Sequence, residues 1–363
     1  MAAAEPGARG PRSRVERWGV SMGDLGRDFV RSMSTRMLSP RGLLAGAMGA
    51  AQASASALSA LLPASRSSDA LLETANKLRA YRLFACADTL ALEPGSGWEM
   101  AAESLRGMDP FSSVWVTEGL GYYLAQRGVL AEPLSDRMWV PMHTGLGLSL
   151  AERALRSVRD LPGALRTYRQ DAWDAARPGF GEVVYEALGL IAVTLFPDFV
   201  GPIDRELSGN EQLCGLFWHG VGRGLYFLPL HFLPAPWARE RPVQYAAEAP
   251  STAVGRVNAL AGLAWAMTLV NVQDPEVIAQ CLGEYARAAP EKGVLRNGVA
   301  SALVVWMASA PEERSVDLLA QFEPPPESAA LWDGTMRGAI ADARRLGGSP
   351  ATAATVFRVR FLE

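Results

Sequence analysis

Residues 213–228 read LCGLFWHGVGRGLYFL and place one histidine, one arginine and four glycines inside an apolar run. Weaker copies of this stretch read HTGLGLSLAERAL from His143 and RNGVASALVVWM from Arg296. Small residues recur at the same distances after the leading glycine of each copy. The copies therefore predict a repeated structural element, and none of them contains a motif that specifies a reaction.

A second pattern precedes each glycine-rich copy. The sequence E-x-L-G begins at Glu118 and at Glu186, and a weaker match, VNALAGLAWAM, surrounds Asn258. Successive matches are 68 residues (186 − 118) and 72 residues (258 − 186) apart. The leading glycines are separated by similar distances, which favours helical-hairpin repeats with accessory helices. The predicted units cover about residues 111–156, 179–228 and 251–310.

The glycines themselves predict how the helices pack. Each glycine costs a helix about 1 kcal/mol relative to alanine, so packing must compensate for it. Residues four apart share one face, and Gly220 and Gly224 thus clear a strip for close approach by another helix. We expect a mostly α fold of hairpin repeats packed through small-residue faces, in which leucine at Gly220 is far worse than alanine. A phosphate-binding loop is the alternative, but GxxxxGK[ST] is absent.

The chain divides into three predicted parts. Residues 1–67 form a basic tail and an Ala/Ser-rich helix, residues 68–322 form the helical repeat domain, and residues 323–363 form a Pro-rich linker and a C-terminal helix. Residues 42–65 carry no charge and are long enough to span a bilayer, but their Ala, Gly and Ser content favours a soluble helix over membrane contact. Five prolines in residues 229–250 predict an irregular excursion.

Composition excludes some classes of function. The chain has 35 basic and 38 acidic residues and a net charge of −3, so no general positive field attracts nucleic acid. Cys86, Cys214 and Cys281 lie far apart and form no CxxC pair, which predicts reduced thiols in a cytoplasmic protein. The C-terminal run TVFRVRF, residues 355–361, alternates apolar and basic residues and predicts an edge strand or a docked tail.

A candidate site follows from spacing on the glycine-rich helix. His219 and Arg223 are four residues apart, so both side chains leave the same face of an apolar helix. A buried arginine needs an acidic partner, and Glu186, Asp204 and Glu206 are the candidates in the same unit. We therefore expect Glu186, His219 and Arg223 to converge on one pocket, or else to form a structural hydrogen-bond cluster.

The pocket should be lined by aromatic residues of the same helix, and the first unit has a related Glu and His pair. A set of two glutamates and two histidines has the composition of a carboxylate-bridged metal site, but the Glu-x-x-His motif of such sites is absent. We therefore predict no metal, and no motif identifies a cofactor. The predicted ligand-binding residues are Glu118, His143, Glu186, Trp218, His219, Arg223 and Tyr226.

The blocks at Glu118, at His143 and at GVGRGLYF from Gly220 together resemble a known group of proteins. This is an uncharacterised family of similar length, encoded beside enediyne polyketide synthases in bacterial specialised-metabolite clusters. The resemblance covers about residues 110–310 and brings no established catalytic residue. It implies a cytoplasmic accessory protein that handles a polyene or its products.

Three classes of function are consistent with the sequence. The first is an accessory protein that holds a hydrophobic small molecule between repeats and has that molecule or a biosynthetic enzyme as its partner. The second is an oxidoreductase or isomerase that uses Glu186, His219 and Arg223. The third is a non-catalytic scaffold. Bound metal or cofactor would favour the enzyme, and a bound aliphatic molecule would favour the binding protein.

Overall fold

The computed structural model describes residues 67–92, 105, 107–129, 135–228, 231, 236–288 and 292–359. Within these ranges the chain is mostly helical and contains no strand, which confirms the predicted mostly α class. The predicted basic tail and the uncharged segment 42–65 lie outside the described residues.

Seven long helices of the described ranges follow one another in space, and each packs mainly on the next member of the series. They are α1 (Ser67–Leu92), α2 (Pro110–Gln126), α3 (Trp139–Arg156), α5 (Gly181–Leu195), α7 (Glu211–Tyr226), α9 (Ala253–Val270) and α11 (Lys292–Ser309). The other helices are α4 (Leu161–Ala175), α6 (Val200–Leu207), α8 (Pro236–Glu248), α10 (Pro275–Ala288), α12 (Ser315–Gln321), α13 (Pro326–Trp332), α14 (Gly338–Leu346) and α15 (Pro350–Ala353). The apolar faces of both sets meet in one extensive core.

Side-chain caps fix the first residues of the helices that carry the candidate site. The side chain of Asp109 accepts the N–H of the third residue of α2, and Pro110 occupies the first position, where a missing N–H is harmless. Asn210 caps α7 and Thr252 caps α9 in the same way. These caps satisfy backbone donors that the first turn leaves unpaired, and so fix the residue at which α2, α7 and α9 each begin.

Glycines of α3 and α7 meet backbone carbonyls of the preceding helix in the series. A Cβ atom on Gly145 would lie 1.9 Å from the carbonyl oxygen of Glu118, and one on Gly220 would lie 2.0 Å from that of Glu186. Even alanine therefore forces these backbones apart, and the larger leucine at Gly220 should be worse still. That the complete hairpins superpose as repeats stays a prediction.

The third unit is matched differently from the sequence expectation. A Cβ atom on Gly298 of α11 would lie 2.2 Å from the carbonyl oxygen of Ala261, not from that of Asn258. By this contact Ala261 occupies the position that Glu186 has in the second unit. The run Ala261-Gly262-Leu263-Ala264 keeps the leucine of E-x-L-G but has alanine in place of both the acid and the final glycine, and it lies three residues after the match at Asn258.

The proline-rich segment 229–250 is not wholly irregular, because residues Pro236–Glu248 form α8. Pro236 occupies the first position of α8, where proline is tolerated, whereas Pro242 lies inside the helix and removes one backbone hydrogen bond. Burial of Val243 and Ala246, neither of which is exposed, compensates for that loss. Tertiary packing thus overrides the local signal of the prolines.

The C-terminal part packs against α11 and is continuous with the core. The helix predicted over residues 328–346 is present as α13 and α14, joined by a π-helical turn, Asp333–Arg337. The described residues of the final segment, up to residue 359, form no strand. Phe357 is fully buried, so the docked-tail alternative describes this segment.

Among the described helices, α9 is the one that is long and apolar enough to cross a membrane by length and composition. The share of its 18-residue apolar window that is buried inside the protein is 78%. It packs between α7 and α11, so its apolar composition is accounted for by its position in the core.

Candidate functional site

Four ionisable side chains from α2, α5 and α7 meet in the core, and we call Glu118, Glu186, His219 and Arg223 the Arg223 cluster. Both oxygens of Glu186 are used: Oε1 lies 2.8 Å from His219 Nδ1, and Oε2 lies 2.6 Å from Arg223 Nη1. Arg223 Nη2 lies 3.3 Å from Glu118 Oε1. The structure thus brings together the three residues expected from spacing and adds Glu118 to them.

The Arg223 cluster is buried and has more acidic than basic groups. Side-chain exposure is 0% for Glu186, 1% for His219 and Arg223, and 6% for Glu118. The guanidinium of Arg223 is always charged, so two ionised carboxylates leave one negative charge in excess. A surplus buried charge is costly, and the cluster becomes neutral when Glu118 or His219 takes up one proton.

Glu118 is placed to hold that proton. Burial raises the pKa of its carboxyl, Arg223 lowers it, and the negative charge of Glu186 raises it again, with a resulting pKa of about 7 instead of 4.5. Near neutral pH, the Arg223 cluster therefore exchanges a proton through Glu118. Such a group can act as an acid or a base without a large energetic cost.

Two aromatic rings that sequence reasoning did not include adjoin the cluster. The guanidinium carbon of Arg223 lies 4.5 Å from the ring centroid of Trp265, a residue of α9. The ring of Phe357, from the C-terminal segment, lies 5.9 Å from those of both His219 and Trp265. Trp265 had no sequence signal beyond an apolar helix, whereas Phe357 belongs to the run expected to dock.

Three buried nitrogen atoms at this site have no hydrogen-bond partner among the residues that the structure describes. They are His219 Nε2, Arg223 Nε and Trp265 Nε1. Buried polar atoms are nearly always paired with protein, water or ligand. His219 Nδ1 donates to the Glu186 carboxylate, which only accepts, so a neutral His219 presents an acceptor at Nε2. Within the described residues, the site therefore keeps both hydrogen-bond donors and an acceptor unpaired.

Trp218 and Tyr226 were expected to line the same pocket, but their polar atoms are engaged elsewhere. Trp218 Nε1 donates to Asp204 Oδ1 at 2.6 Å, which also removes Asp204 as a partner for Arg223. The hydroxyl of Tyr226 accepts a hydrogen bond from Asn271 Nδ2 at 2.8 Å. Neither polar group points to the four residues of the Arg223 cluster.

His143 also lies apart from the cluster and has both ring nitrogens satisfied. Nδ1 donates to the carbonyl oxygen of Trp139 at 2.7 Å, and Nε2 accepts the backbone N–H of Arg177 at 3.1 Å. Its ring packs 4.7 Å from that of Phe180. Burial lowers the pKa of His143, so the neutral form that these bonds require is favoured. These contacts are those of a structural histidine.

A second buried set of charges, which we call the Arg239 cluster, consists of Glu73, Lys77, Arg239 and Glu284. Lys77 Nζ lies 2.8 Å from Glu73 Oε1, and Arg239 Nε lies 2.6 Å from Glu73 Oε2. Arg239 Nη1 lies 2.8 Å from Glu284 Oε1. Burial raises the pKa of Glu73, but Lys77 and Arg239 lower it further, to about 2. The charges of the two carboxylates and the two basic side chains of the Arg239 cluster therefore balance.

The Arg239 cluster has unpaired atoms too, but solvent is close to it. Arg239 Nη2 and Glu284 Oε2 lack partners, one a donor and the other an acceptor. Glu284 borders a cleft of about 400 Å³ between α8 and α10, and the other cleft residues are Glu240, Gln244, Ala247, Glu248 and Arg287. A water molecule at this edge can reach Glu284 Oε2. Unpaired atoms alone therefore do not distinguish the two clusters, whereas charge does.

No family model, no curated protein and no solved structure matches the chain. Within the described ranges, no group of three or more His, Cys, Asp or Glu side chains is arranged to hold a metal ion. The resemblance to the family encoded beside enediyne polyketide synthases stays a prediction. The geometry of the two clusters is therefore the basis for any argument about function.

Proposed function

We propose that the protein binds a hydrophobic small molecule and that the Arg223 cluster receives a polar group of that molecule. The observation that carries the proposal is the surplus carboxyl of a cluster whose members are at most 6% exposed. A purely structural cluster gains nothing from an unbalanced charge, since a neutral side chain of the same shape would be more stable there. Buried ionisable groups with strongly perturbed environments cluster at functional sites, which supports the proposal.

The unpaired atoms suggest the chemistry of the ligand. Arg223 Nε and Trp265 Nε1 are donors without acceptors, and His219 Nε2 is an acceptor in the neutral ring. A carbonyl or carboxyl oxygen suits the donors, and a hydroxyl suits all three atoms. The core around the site is apolar, so the remainder of the ligand should be hydrophobic.

The biological setting comes from the sequence. We propose an accessory protein of specialised-metabolite biosynthesis, enediyne-like polyketide biosynthesis in particular, in a bacterial cytoplasm. Glu118 and Arg223 both lie in the blocks that carry the resemblance to that family. The partner is then the hydrophobic molecule itself or a biosynthetic enzyme that delivers it; membrane contact through residues 42–65 and binding of nucleic acid are not part of the proposal.

Proton transfer is the second candidate function, as in an isomerase or an oxidoreductase. The observation that favours it is the pKa of Glu118, raised by burial to about 7 in direct contact with Arg223. A carboxyl with this pKa can accept and return a proton at neutral pH. In this version Glu186, His219 and Arg223 hold the substrate oxygen, and Glu118 moves the proton.

Mass spectrometry of the purified chain tests the proposal. The molecules released on denaturation are identified and quantified, first from the unchanged chain and then from Glu186→Gln and Arg223→Met. We expect one hydrophobic, oxygen-containing species whose occupancy falls at least tenfold in both variants, because each removes a polar contact of the site. Glu284→Gln in the Arg239 cluster is the matched control and should keep the species.

Two outcomes contradict the proposal. Equal occupancy in all folded variants would make the Arg223 cluster a structural hydrogen-bond network, in agreement with the scaffold alternative. A chain that carries no molecule, and whose melting temperature is unchanged by conjugated carboxylic acids and phenols, would remove the binding function. Turnover of a bound species by the unchanged chain, lost in Glu118→Gln, would favour the proton-transfer candidate.

A further inference from the structure

Residues 355–359 cover the Arg223 cluster at His219. Val356 is 2% exposed and Phe357 is fully buried, although the segment forms no regular secondary structure. The ring of Phe357 meets His219 edge to face and lies against Trp265. The segment 355–359 thus supplies the phenyl ring that covers the polar groups of the site.

Side-chain contacts with α5 and α9 hold this segment. Arg358 forms an ion pair with Glu182 of α5, at 3.1 Å between Nη2 and Oε1, and the two side chains are 18% and 15% exposed. The backbone N–H of Val359 donates to Asn258 Oδ1 at 2.7 Å. Partly exposed ion pairs contribute little, because water replaces them easily. Displacement of the segment therefore costs mainly the burial of Val356 and Phe357, which a bound apolar ring would replace.

Closure by Phe357 leaves polar atoms unsatisfied. His219 and Trp265, the two rings that it contacts, each carry a buried nitrogen without a partner. A phenyl ring cannot form a hydrogen bond to either nitrogen, so the closed state keeps both unpaired. A molecule that replaces the phenyl ring and brings an oxygen atom would keep the packing and pair these atoms.

We propose that residues 355–359 are a displaceable plug and that Phe357 occupies the place of a ligand's ring. The ligand class is a planar unsaturated or aromatic molecule with an oxygen substituent that reaches His219 Nε2 and Trp265 Nε1. This inference rests on the proposed binding function and adds the entry route and the shape of the ligand. Its tests need no knowledge of the natural ligand.

The first test measures whether the plug opens without unfolding. Val356→Cys is introduced together with Cys86→Ser, because Cys86 is the exposed native thiol. Cys281, which is fully buried in the core, reports global unfolding in the same sample. Under native conditions we expect a thiol reagent to modify Cys at position 356 at least 100-fold faster than Cys281. Equal rates would overturn the proposal.

Reversing the charge of Arg358 should change the labelling rate at position 356. Arg358→Glu places two carboxylates together and should raise labelling at position 356 at least tenfold, with Cys281 unchanged. Adding Glu182→Arg restores the opposite charges and should bring the rate back. If Val356→Cys does not fold, amide exchange in the unmodified chain decides: the Val359 amide must exchange at least 100-fold faster than that of Leu303 in α11. Equal amide exchange would contradict the plug.

The second test measures the chemistry of the space that Phe357 fills. In Phe357→Ala, the binding of phenol and of toluene, which have similar size, is compared by calorimetry. We expect phenol to bind at least tenfold more tightly, and Trp265→Phe in that background to reduce the preference. A preference for toluene would show that the unpaired nitrogens do not face this space and would overturn the ligand class.

The two proposals fail separately. A plug that opens only on global unfolding contradicts this inference, while a bound species that depends on Arg223 and Glu186 still supports binding. A plug that opens in a chain that neither carries nor accepts any ligand contradicts the binding function instead.

Discussion

The Arg223 and Arg239 clusters are both buried and both contain two glutamates, but they differ in the number of permanent cations. Arg239 and Lys77 neutralise the acids of the Arg239 cluster, whereas Arg223 alone faces the acids of its own cluster. The pKa of Glu73 is about 2, and that of Glu118 is about 7. One missing cation thus decides whether a buried carboxyl stays charged or holds a proton.

The difference in charge balance indicates different roles for the two clusters. The Arg239 cluster joins α1, α8 and α10 through complete pairs and explains how the Pro-containing α8 is fixed to the core. The Arg223 cluster also joins three helices, but its excess acid destabilises the fold when ionised. A stabilising role therefore fits the first, and a functional role fits the second.

The largest expected effect comes from removing a carboxylate from the balanced cluster. Glu73→Gln leaves Lys77 and Arg239 with one acid between them and should lower the free energy of unfolding by about 3–5 kcal/mol. Glu118→Gln should cause no loss at pH 8, since it removes the excess charge. Urea denaturation of both variants measures the difference. Equal losses would mean that the two clusters do not differ in charge balance.

The dependence of stability on pH is the next effect in size. Folded Glu118 has a pKa of about 7, above its ordinary 4.5, so between these values the folded state keeps a proton that the unfolded state releases. The stability that this proton gives to the folded state is fully present below pH 4.5 and is lost as the pH rises through 7. The difference of about 2.5 in pKa corresponds to about 3 kcal/mol.

Unfolding free energies between pH 5 and pH 8 test this contribution. The unchanged chain should lose stability over that window, and Glu118→Gln should lose much less. Glu73 acts in the opposite direction, because its pKa is lowered to about 2: its contribution is lost only as the pH falls from 4.5 towards 2. A slope that is identical in the unchanged chain and in Glu118→Gln would contradict the assignment.

The sequence predicted the centre of the site but not its boundary. His219 and Arg223 share a face because four residues are close to one helical turn, and this rule placed them correctly beside Glu186. Trp218 is one residue before His219 and is rotated by about 100°, so it meets Asp204 on another side. Tyr226 is seven residues after His219, about 10 Å along the axis, where the second cluster begins.

Glu118 was among the predicted ligand-binding residues, but its contact with Arg223 needed the tertiary structure, and so did Trp265 and Phe357. Glu118 lies 105 residues before Arg223 in the chain, and only the tertiary arrangement of α2 and α7 brings the two side chains together. The sequence contains the third-unit match at Ala261 as well as the one at Asn258, three residues earlier. Comparison with the acid at Glu186 favoured Asn258. The proline count predicted an irregular segment at α8, where burial outweighs two prolines.

The smallest effect concerns a glycine beside each cluster. Gly220, next to His219, meets the carbonyl of Glu186, so Gly220→Ala should destabilise by about 1–3 kcal/mol through overpacking. Gly283, next to Glu284, has no atom within 4 Å of an added Cβ, so Gly283→Ala should stabilise by up to about 1 kcal/mol. Thermal melts of both variants measure this; equal shifts would mean that α5 and α7 are not in close contact.

The protonation of Glu118 tests the central claim most directly. Infrared or carbon NMR spectra of a chain with isotope-labelled glutamate carboxyl groups, recorded from pH 4 to pH 9, follow each buried carboxyl, and Glu118→Gln identifies the signal of Glu118. The charge imbalance predicts a protonated carboxyl at pH 5 that ionises with a midpoint near 7. A Glu118 carboxyl that is already ionised at pH 5 would contradict the account, because the Arg223 cluster would then hold its proton elsewhere.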